Sequence, residues 1–417
     1  MNVLRGAIIV GLGLLMAPRV TSAADIPGRW DAVVVVNNVE VPFRFEIAQH
    51  GDQVEGFFFE GSRKVASTSG RFAHGVLTLN YDFLDTVLEA TFSGGELHGS
   101  YRNKGSNARP MVFRAKRFVP PATVASSPAP QVAGEWAMYR TAQDGSKLDV
   151  SWRLHLQQSG SEVSGAILKT SGDSGTLAGR WHDGRLTMSH FAGERPLVFE
   201  ARRNPDGTLS ITLDHTFTYR AARSTALKTS GIPEPPDLSR FTSVKDPNAP
   251  FHFRGSDLDG KMVSDTDARF RGHVVVLTIG GSWCPNCRDE APFLSELYQE
   301  FHARGLEVVG LFFENDADLA LVRPRVLAFI KRYSVPFPIL VPGTTDEAAA
   351  KLPQLVNFGV YPTTIILGRD GRVRSIHAGF ASTATGAEHT RLTQEERTLV
   401  AQLLAEKAQD HGHTTSR

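Results

Sequence analysis
Residues 273–304 read HVVVLTIGGSWCPNCRDEAPFLSELYQEFHAR, and the fold turns on this stretch. Its first nine residues, HVVVLTIGG, are a short continuous apolar run, as a strand buried on both faces requires. From Cys287 the spacing becomes helical, with Phe293, Leu294, Leu297 and Phe301 on one side. Cys284 therefore stands near a helix N-terminus, where unpaired N–H groups and the helix dipole stabilise a thiolate and make it the attacking nucleophile. Cys287 lies one turn further on the same face, within reach of a disulfide. Pro285 suits the first turn, where its missing N–H would have no partner. A zinc site would need two more soft ligands, and these are the chain's only two cysteines. A merely structural bridge across so short a loop would constrain the unfolded chain very little. The pair reads as a working dithiol.

Downstream, strands and helices alternate. LEVVGLFFE (residues 306–314) reads as the next strand, followed by a helix around residues 319–333 and a strand at residues 336–341. Residues 361–379 form a hairpin pattern turning at Arg369-Asp370-Gly371, since Asp-Gly between apolar alternations favours a tight turn. Residues 393–407 are expected to close the domain as an amphipathic helix, with Thr393 and Glu396 as its capping box. An α/β redox domain over residues 246–408 follows, with a flexible tail at 409–417.

Upstream, the chain repeats itself. FRFEIAQHGDQVEG (residues 43–56) matches WRLHLQQSGSEVSG (152–165) at an offset of 109, and SGRFAHGVLTL (69–79) matches AGRWHDGRLTM (178–188) at the same offset. Gly28-Arg29-Trp30 likewise matches Gly134-Glu135-Trp136. Within each copy the apolar period is two and turn signals recur, as short antiparallel strands require. About eight strands per copy predict a small meander barrel or sandwich, with modules at residues 25–118 and 132–224. Pro- and Ser-rich linkers occupy residues 119–131 and 225–245. The aromatic residues Trp30, Phe57, Phe58, Phe59, Phe72 and Trp181 either fill these cores or line a ligand cavity. His50, His74, His155, His182 and His190 lack ligand spacing, so no metal is expected. KTSG occurs at residues 169–172 and 228–231, and both copies read as turns.

The whole chain has 417 residues, enough for two to three domains, and a formal net charge of +1. That balance argues against a nucleic-acid protein. A basic start, an apolar run at residues 6–18 and small residues at 21–24 have the layout of a cleaved signal peptide, with cleavage after Ala23 or Ala24. Export, most simply to a bacterial periplasm, is expected.

The residues Trp283-Cys284-Pro285-Asn286-Cys287-Arg288-Asp289-Glu290-Ala291-Pro292, with Gly359-Val360-Tyr361-Pro362-Thr363-Thr364 and Asp370-Gly371, resemble the exported TlpA-like thiol-disulfide oxidoreductases of the thioredoxin superfamily. The resemblance covers residues 246–408. It implies a thioredoxin-like fold for that α/β domain, so the expected architecture is two all-β repeat modules followed by an α/β thioredoxin-like domain. Cys284 would be the exposed nucleophile, Cys287 the resolving thiol and Pro362 a cis-proline facing them. Tyr361 would offer its backbone to a substrate strand, with Trp283, Pro285, Asn286 and Thr363 around the same surface. Glu290 would be a partly buried carboxyl that accepts the Cys287 proton. Thr278 stands where cytosolic thioredoxins carry a buried Asp, which leaves Glu290 as the nearby candidate base.

Implied partners are protein disulfides and a protein electron donor, membrane-bound or not, since no dinucleotide fingerprint or other cofactor signal is present. The β modules would dock an envelope partner or a ligand. Two other readings stay open: a thiol peroxidase, and a β-module binding protein with an auxiliary redox domain. Against the first, Leu277 and Gly281 stand where a peroxidase motif ending at Cys284 would carry Pro and Thr.

Overall fold
The computed structural model describes residues 26–51, 53–104, 109–120, 129–141, 148–227, 234–237 and 241–406. The leader expected at residues 1–24, the tail at 409–417 and the second KTSG lie outside the described residues.

Alternating side chains build the first module from β1 (Gly28–Val36), β2 (Val39–His50), β3 (Gln53–Glu60), β4 (Arg63–Ala66), β5 (Ser69–Ala73), β6 (Val76–Tyr81), β7 (Thr86–Ser93), β8 (Glu96–Asn103) and β9 (Met111–Arg117). The order β2-β1-β9-β8-β7-β6-β5-β3 is closed by pairing of β2 with β3, so eight strands form a barrel and β4 hangs on β3 outside the ring. Closure removes the bare edges that an open sheet would present.

The second module repeats this order with β10 (Gly134–Thr141), β11 (Leu148–Ser159), β12 (Glu162–Lys169), β13 (Gly172–Asp173), β14 (Leu177–His182), β15 (Arg185–His190), β16 (Leu197–Arg203), β17 (Leu209–Leu213) and β18 (Phe217–Arg223). Here β11 closes onto β12, and β13 is the strand outside the ring. The count is thus nine per copy, one more than the turn spacing suggests, because β4 and β13 are too short to show a period of their own. Even the details repeat: the Trp30 and Trp136 indoles donate to the carbonyls of Ile26 and Val132, and Arg117 and Arg223 stack on those rings.

The aromatic residues mostly fill cores. Trp30 and Phe58 are fully buried and Trp181 nearly so, whereas Phe57, Phe59 and Phe72 are half-buried. Phe191 belongs to the second module, yet it enters the first module's core, 4.7 Å from the Phe43 ring, 5.3 Å from Phe58 and 5.4 Å from Tyr101. Burying such a ring is worth about 2–3 kcal/mol. A 1000 Å³ cleft does lie between the modules, with Phe43, Phe59, His190 and Phe191 among its walls.

The C-terminal third forms one mixed sheet. A small pair joins β19 (Ser243–Val244) to β25 (Leu355–Val356). The main sheet comprises β20 (Arg254–Ser256), β21 (Met262–Ser264), β22 (Val274–Gly280), β23 (Leu306–Glu314), β24 (Ile339–Thr344), β26 (Thr363–Leu367) and β27 (Val373–Ala378), ordered β21-β20-β24-β23-β22-β26-β27. All seven residues of β22 are buried, as its unbroken apolar run requires. Strands β22, β23 and β24 run parallel, and β26 runs antiparallel to β22.

Three main helices cover the sheet: α1 (Pro285–Phe301), α2 (Leu319–Tyr333) and α3 (Ala387–Ala405). The last corrects the sequence expectation. Thr393 does not cap it; the helix starts after Gly386, and the Thr393 hydroxyl donates back to the His389 carbonyl, 2.8 Å away. A Thr-x-x-Glu pattern inside a helix mimics a start signal when the true start lacks a side-chain cap.

The modules also pack on this domain. Arg325 of α2 pairs with Asp85 of the first module at 2.7 Å, and the Arg332 guanidinium lies over the Phe83 ring.

Candidate active site
The end of β22 delivers the chain into the first turn of α1. Cys284 is the N-cap: its Sγ accepts the Cys287 N–H at 3.1 Å, so a backbone donor points at the sulfur on which negative charge would form. Cys284 and Cys287 are joined by a disulfide, with Cα atoms 5.3 Å apart. Gly280 lets α1 come this close, because a Cβ there would stand 2.8 Å from Cys287 Sγ.

The approach to the motif is held from below. The buried Glu314, at the end of β23, accepts both the Ser282 N–H at 2.7 Å and the Ser282 hydroxyl at 2.8 Å. The half-buried Trp283 donates its indole N–H to the Phe313 carbonyl at 2.8 Å and meets the Tyr361 ring edge-on. Across the motif, the Tyr361–Pro362 peptide is cis. Pro362 is buried and Tyr361 half-buried; Thr363 is fully buried and donates to the Val360 carbonyl at 2.7 Å.

Glu290 is buried one turn beyond Cys287. It accepts the Thr278 hydroxyl at 2.7 Å and a short bond from the Thr364 hydroxyl, so the Thr at the buried-Asp position serves the glutamate instead. Burial pushes its carboxyl up to about 7 against the pull of those hydroxyls. Sequence reading missed its neighbour Glu396 on α3. This residue is also buried, its Oε2 has no hydrogen-bond partner, and burial together with the Glu290 charge pushes it up to about 8.

Because Glu290 binds its proton more tightly folded than unfolded, stability attributable to it is present below pH 4.5 and falls as pH rises towards 7. A shift of this size is worth about 3 kcal/mol. Glu290→Gln should therefore flatten the fall in stability over that window, read by urea unfolding of the reduced protein. Glu396 contributes a slope of the same sign that remains in the variant. An unchanged pH profile would refute the assignment.

One correction concerns the surface. Cys284, expected to be exposed, is only 2% accessible. The motif also lies against both β modules. The β12–β13 hairpin, which contains the first KTSG, sits on the motif: the Asn286 amide donates to the Ser171 carbonyl at 2.7 Å. The corresponding β3–β4 hairpin of the first module reaches the same helix through Arg63, 3.4 Å from Asp289.

Between the two hairpins lies Arg195, at φ 52° in the loop between β15 and β16. It contacts Asn286 Oδ1 at 2.9 Å, Asp289 at 3.0 Å and Glu60 at 3.4 Å. Burial pushes Asp289 up to about 7 against the attraction of Arg195. Glu60 also faces the His190 ring at 3.6 Å, and burial lowers the His190 pKa. Arg288 adds a short ion pair to Glu194 and donates to the Ser282 carbonyl at 2.7 Å. Pro285, like Asn286, is half-buried on this surface.

A dithiol at a helix N-terminus, set on a mixed sheet across from a cis-proline loop, defines the C-terminal third as a redoxin domain, and residues 246–376 match the model of the AhpC/TSA family. The thiol-disulfide oxidoreductase ResA of Bacillus cereus is 30% identical over 122 residues, which are 29% of this chain and 63% of ResA. ResA of Geobacillus thermodenitrificans is 28% identical over 124 residues, 30% of this chain and 64% of that protein. The chain thus spans slightly less than two thirds of the curated relatives it matches. A thiol:disulfide interchange protein of Chlorobium tepidum aligns with 39% of this chain and 99% of its own, at 21% identity and a TM-score of 0.30.

Proposed function
We propose that this chain is an extracytoplasmic protein thiol-disulfide oxidoreductase that works as a reductase through Cys284 and Cys287. The observation that carries the reading is the Cys284–Cys287 pair at the start of α1, with the buried Glu290 carboxyl one turn beyond it. The names of the ResA relatives, and the signal-peptide layout of residues 1–24, support the compartment and the chemistry.

In the reduced enzyme, the Cys284 thiolate attacks one sulfur of a substrate disulfide, and the other leaves as a thiolate. Cys287 then gives its proton to Glu290 and attacks Cys284 Sγ. The second substrate thiol is released, and the two electrons that reduced the substrate leave the enzyme oxidised. Pro362 and the Tyr361 backbone would position the substrate strand, with Trp283, Pro285 and Asn286 shaping the surrounding rim, while the fully buried Thr363 would brace the loop through its bond to Val360. The electron donor would be another protein.

The test is the redox equilibrium of Cys284 and Cys287 in glutathione buffers, read by thiol trapping of the full chain. A potential well below the glutathione couple is the expected result. A potential near that of strong protein oxidants would overturn the reductase direction.

A further inference from the structure
This inference rests on the reading of Cys284 and Cys287 as an exchange dithiol. A substrate disulfide must reach Cys284 Sγ from outside the domain, and in this structure that side is occupied. The Ser171 carbonyl takes the Asn286 amide. Gly172, at φ +111°, lies so close that a Cβ on it would stand 2.1 Å from Asn286 Nδ2.

Asp173 Oδ2 accepts the Ser382 N–H at 2.6 Å, and Leu168 is buried within the redox domain's own apolar cluster. The Gly172 nitrogen and Thr170 carbonyl lie 3.0 and 3.1 Å from where a Cβ on Gly379 would be. Gly379 in turn donates its N–H to the Pro362 carbonyl, 2.7 Å away. The hairpin thus fills the space between the motif and the cis-proline side of the site.

We propose that the patch formed by Asn286, Gly379 and Ser382 is the docking surface for a polypeptide partner, and that residues 168–173 occupy it in the partner's place. The incoming chain presents a main-chain carbonyl to Asn286, as Ser171 does, and carries glycine or another small residue next to it, as Gly172 does. It binds by displacing the hairpin. The displacement spares most of the second barrel, because β13 pairs only with β12 outside the closed ring, and of residues 168–173 Leu168 alone is paired into the ring, to Arg153 of β11. Selectivity follows: a chain that cannot make these contacts does not reach the sulfur, and the apparent rate is the intrinsic rate multiplied by the fraction of molecules with the hairpin released.

The experiment uses the full chain, reduced, in a Cys287→Ser background so that one thiol is counted. Alkylation of Cys284 is timed with iodoacetamide and with a polymer-linked maleimide, in the parent and with Gly172→Ala or Asp173→Ala added. Turnover on insulin disulfides is measured in the same two substitutions with Cys287 restored. The bulky reagent should react on the order of tenfold faster when the hairpin is loosened, with a smaller change for iodoacetamide. Insulin reduction should rise in parallel.

If the parent reacts with the bulky maleimide as fast as its urea-unfolded form does, the docking proposal is wrong, whatever the variants do. If loosening the hairpin speeds alkylation while no form reduces insulin, the occupied patch stands and the reductase reading fails. If alkylation is equally fast in all forms and turnover is high, the reading stands and the occupied patch fails. Circular dichroism identifies any variant that does not fold, and the comparison within the parent protein decides without it.

Discussion
With Cys287 replaced by serine, the protein should change from a catalyst into a trap. Cys284 keeps its N-cap position at the start of α1, so its thiolate still attacks a disulfide. What is lost is the second attack, since no sulfur remains one turn along the helix to release the bound half. Mixed disulfides should accumulate to one per chain, and steady-state turnover should fall at least about a thousandfold. Cys284→Ser should lose both capture and turnover, because Cys287 lies inside the first turn of α1 and lacks the N-cap position in which a backbone N–H points at the sulfur. Mass spectrometry of the trapped species checks both outcomes. Capture by Cys287 in the Cys284→Ser variant would reverse the assigned roles.

The second large effect should come from a residue outside the redox domain. Arg195→Ala removes the cation shared by Glu60, Asp173 and Asp289, whose side chains are between 0% and 6% accessible. Arg63 remains, but it is half-exposed and meets Asp289 alone. Breaking a buried charge cluster by deleting one partner typically costs about 3–5 kcal/mol. Thermal and urea unfolding should report a loss of that order, smaller at pH 5 than at pH 8, because protonation relieves the stranded carboxylates. Arg195→Lys should fall between, since an ammonium cannot contact Asn286, Asp289 and Glu60 with one planar fork. A loss under about 1 kcal/mol would mean that the cluster is exposed enough to be rehydrated.

Much of this architecture can be read from the residues, and the reasons differ by element. The strand at residues 306–314 has the bounds expected from its apolar run, and eight of its nine residues are buried. The duplication declares itself through a constant offset, and two barrels of the same strand order follow. The dithiol is legible because strand, Gly-Gly and Cys-Pro-x-Cys lie in sequence and their placement is local.

Contacts between modules are not local, and there the residues give only hints. Glu60 continues the inward positions of Val54, Gly56 and Phe58 on β3. A charged side chain on the core face of an alternating strand signals a buried partner, though not which one. Arg195 gives no such signal, as its reach depends on a left-handed turn and on three pieces of chain meeting. Glu396 was hidden by the misplaced start of α3. Once the helix is known to begin at residue 387, its position places it among the buried Leu392, Val400 and Leu403.

The loop that carries Phe191 and Arg195 has a consequence for how the molecule comes apart. One end corks the first barrel, the other grips the helix that bears the dithiol, and both belong to the second barrel. Neither barrel can detach while the remaining two bodies keep all their contacts. Three units that look separable by their linkers are thereby wired into a single cooperative block. Heating should melt them in one transition, not three, with amide protons throughout both barrels and the redox sheet sharing a common protection ceiling.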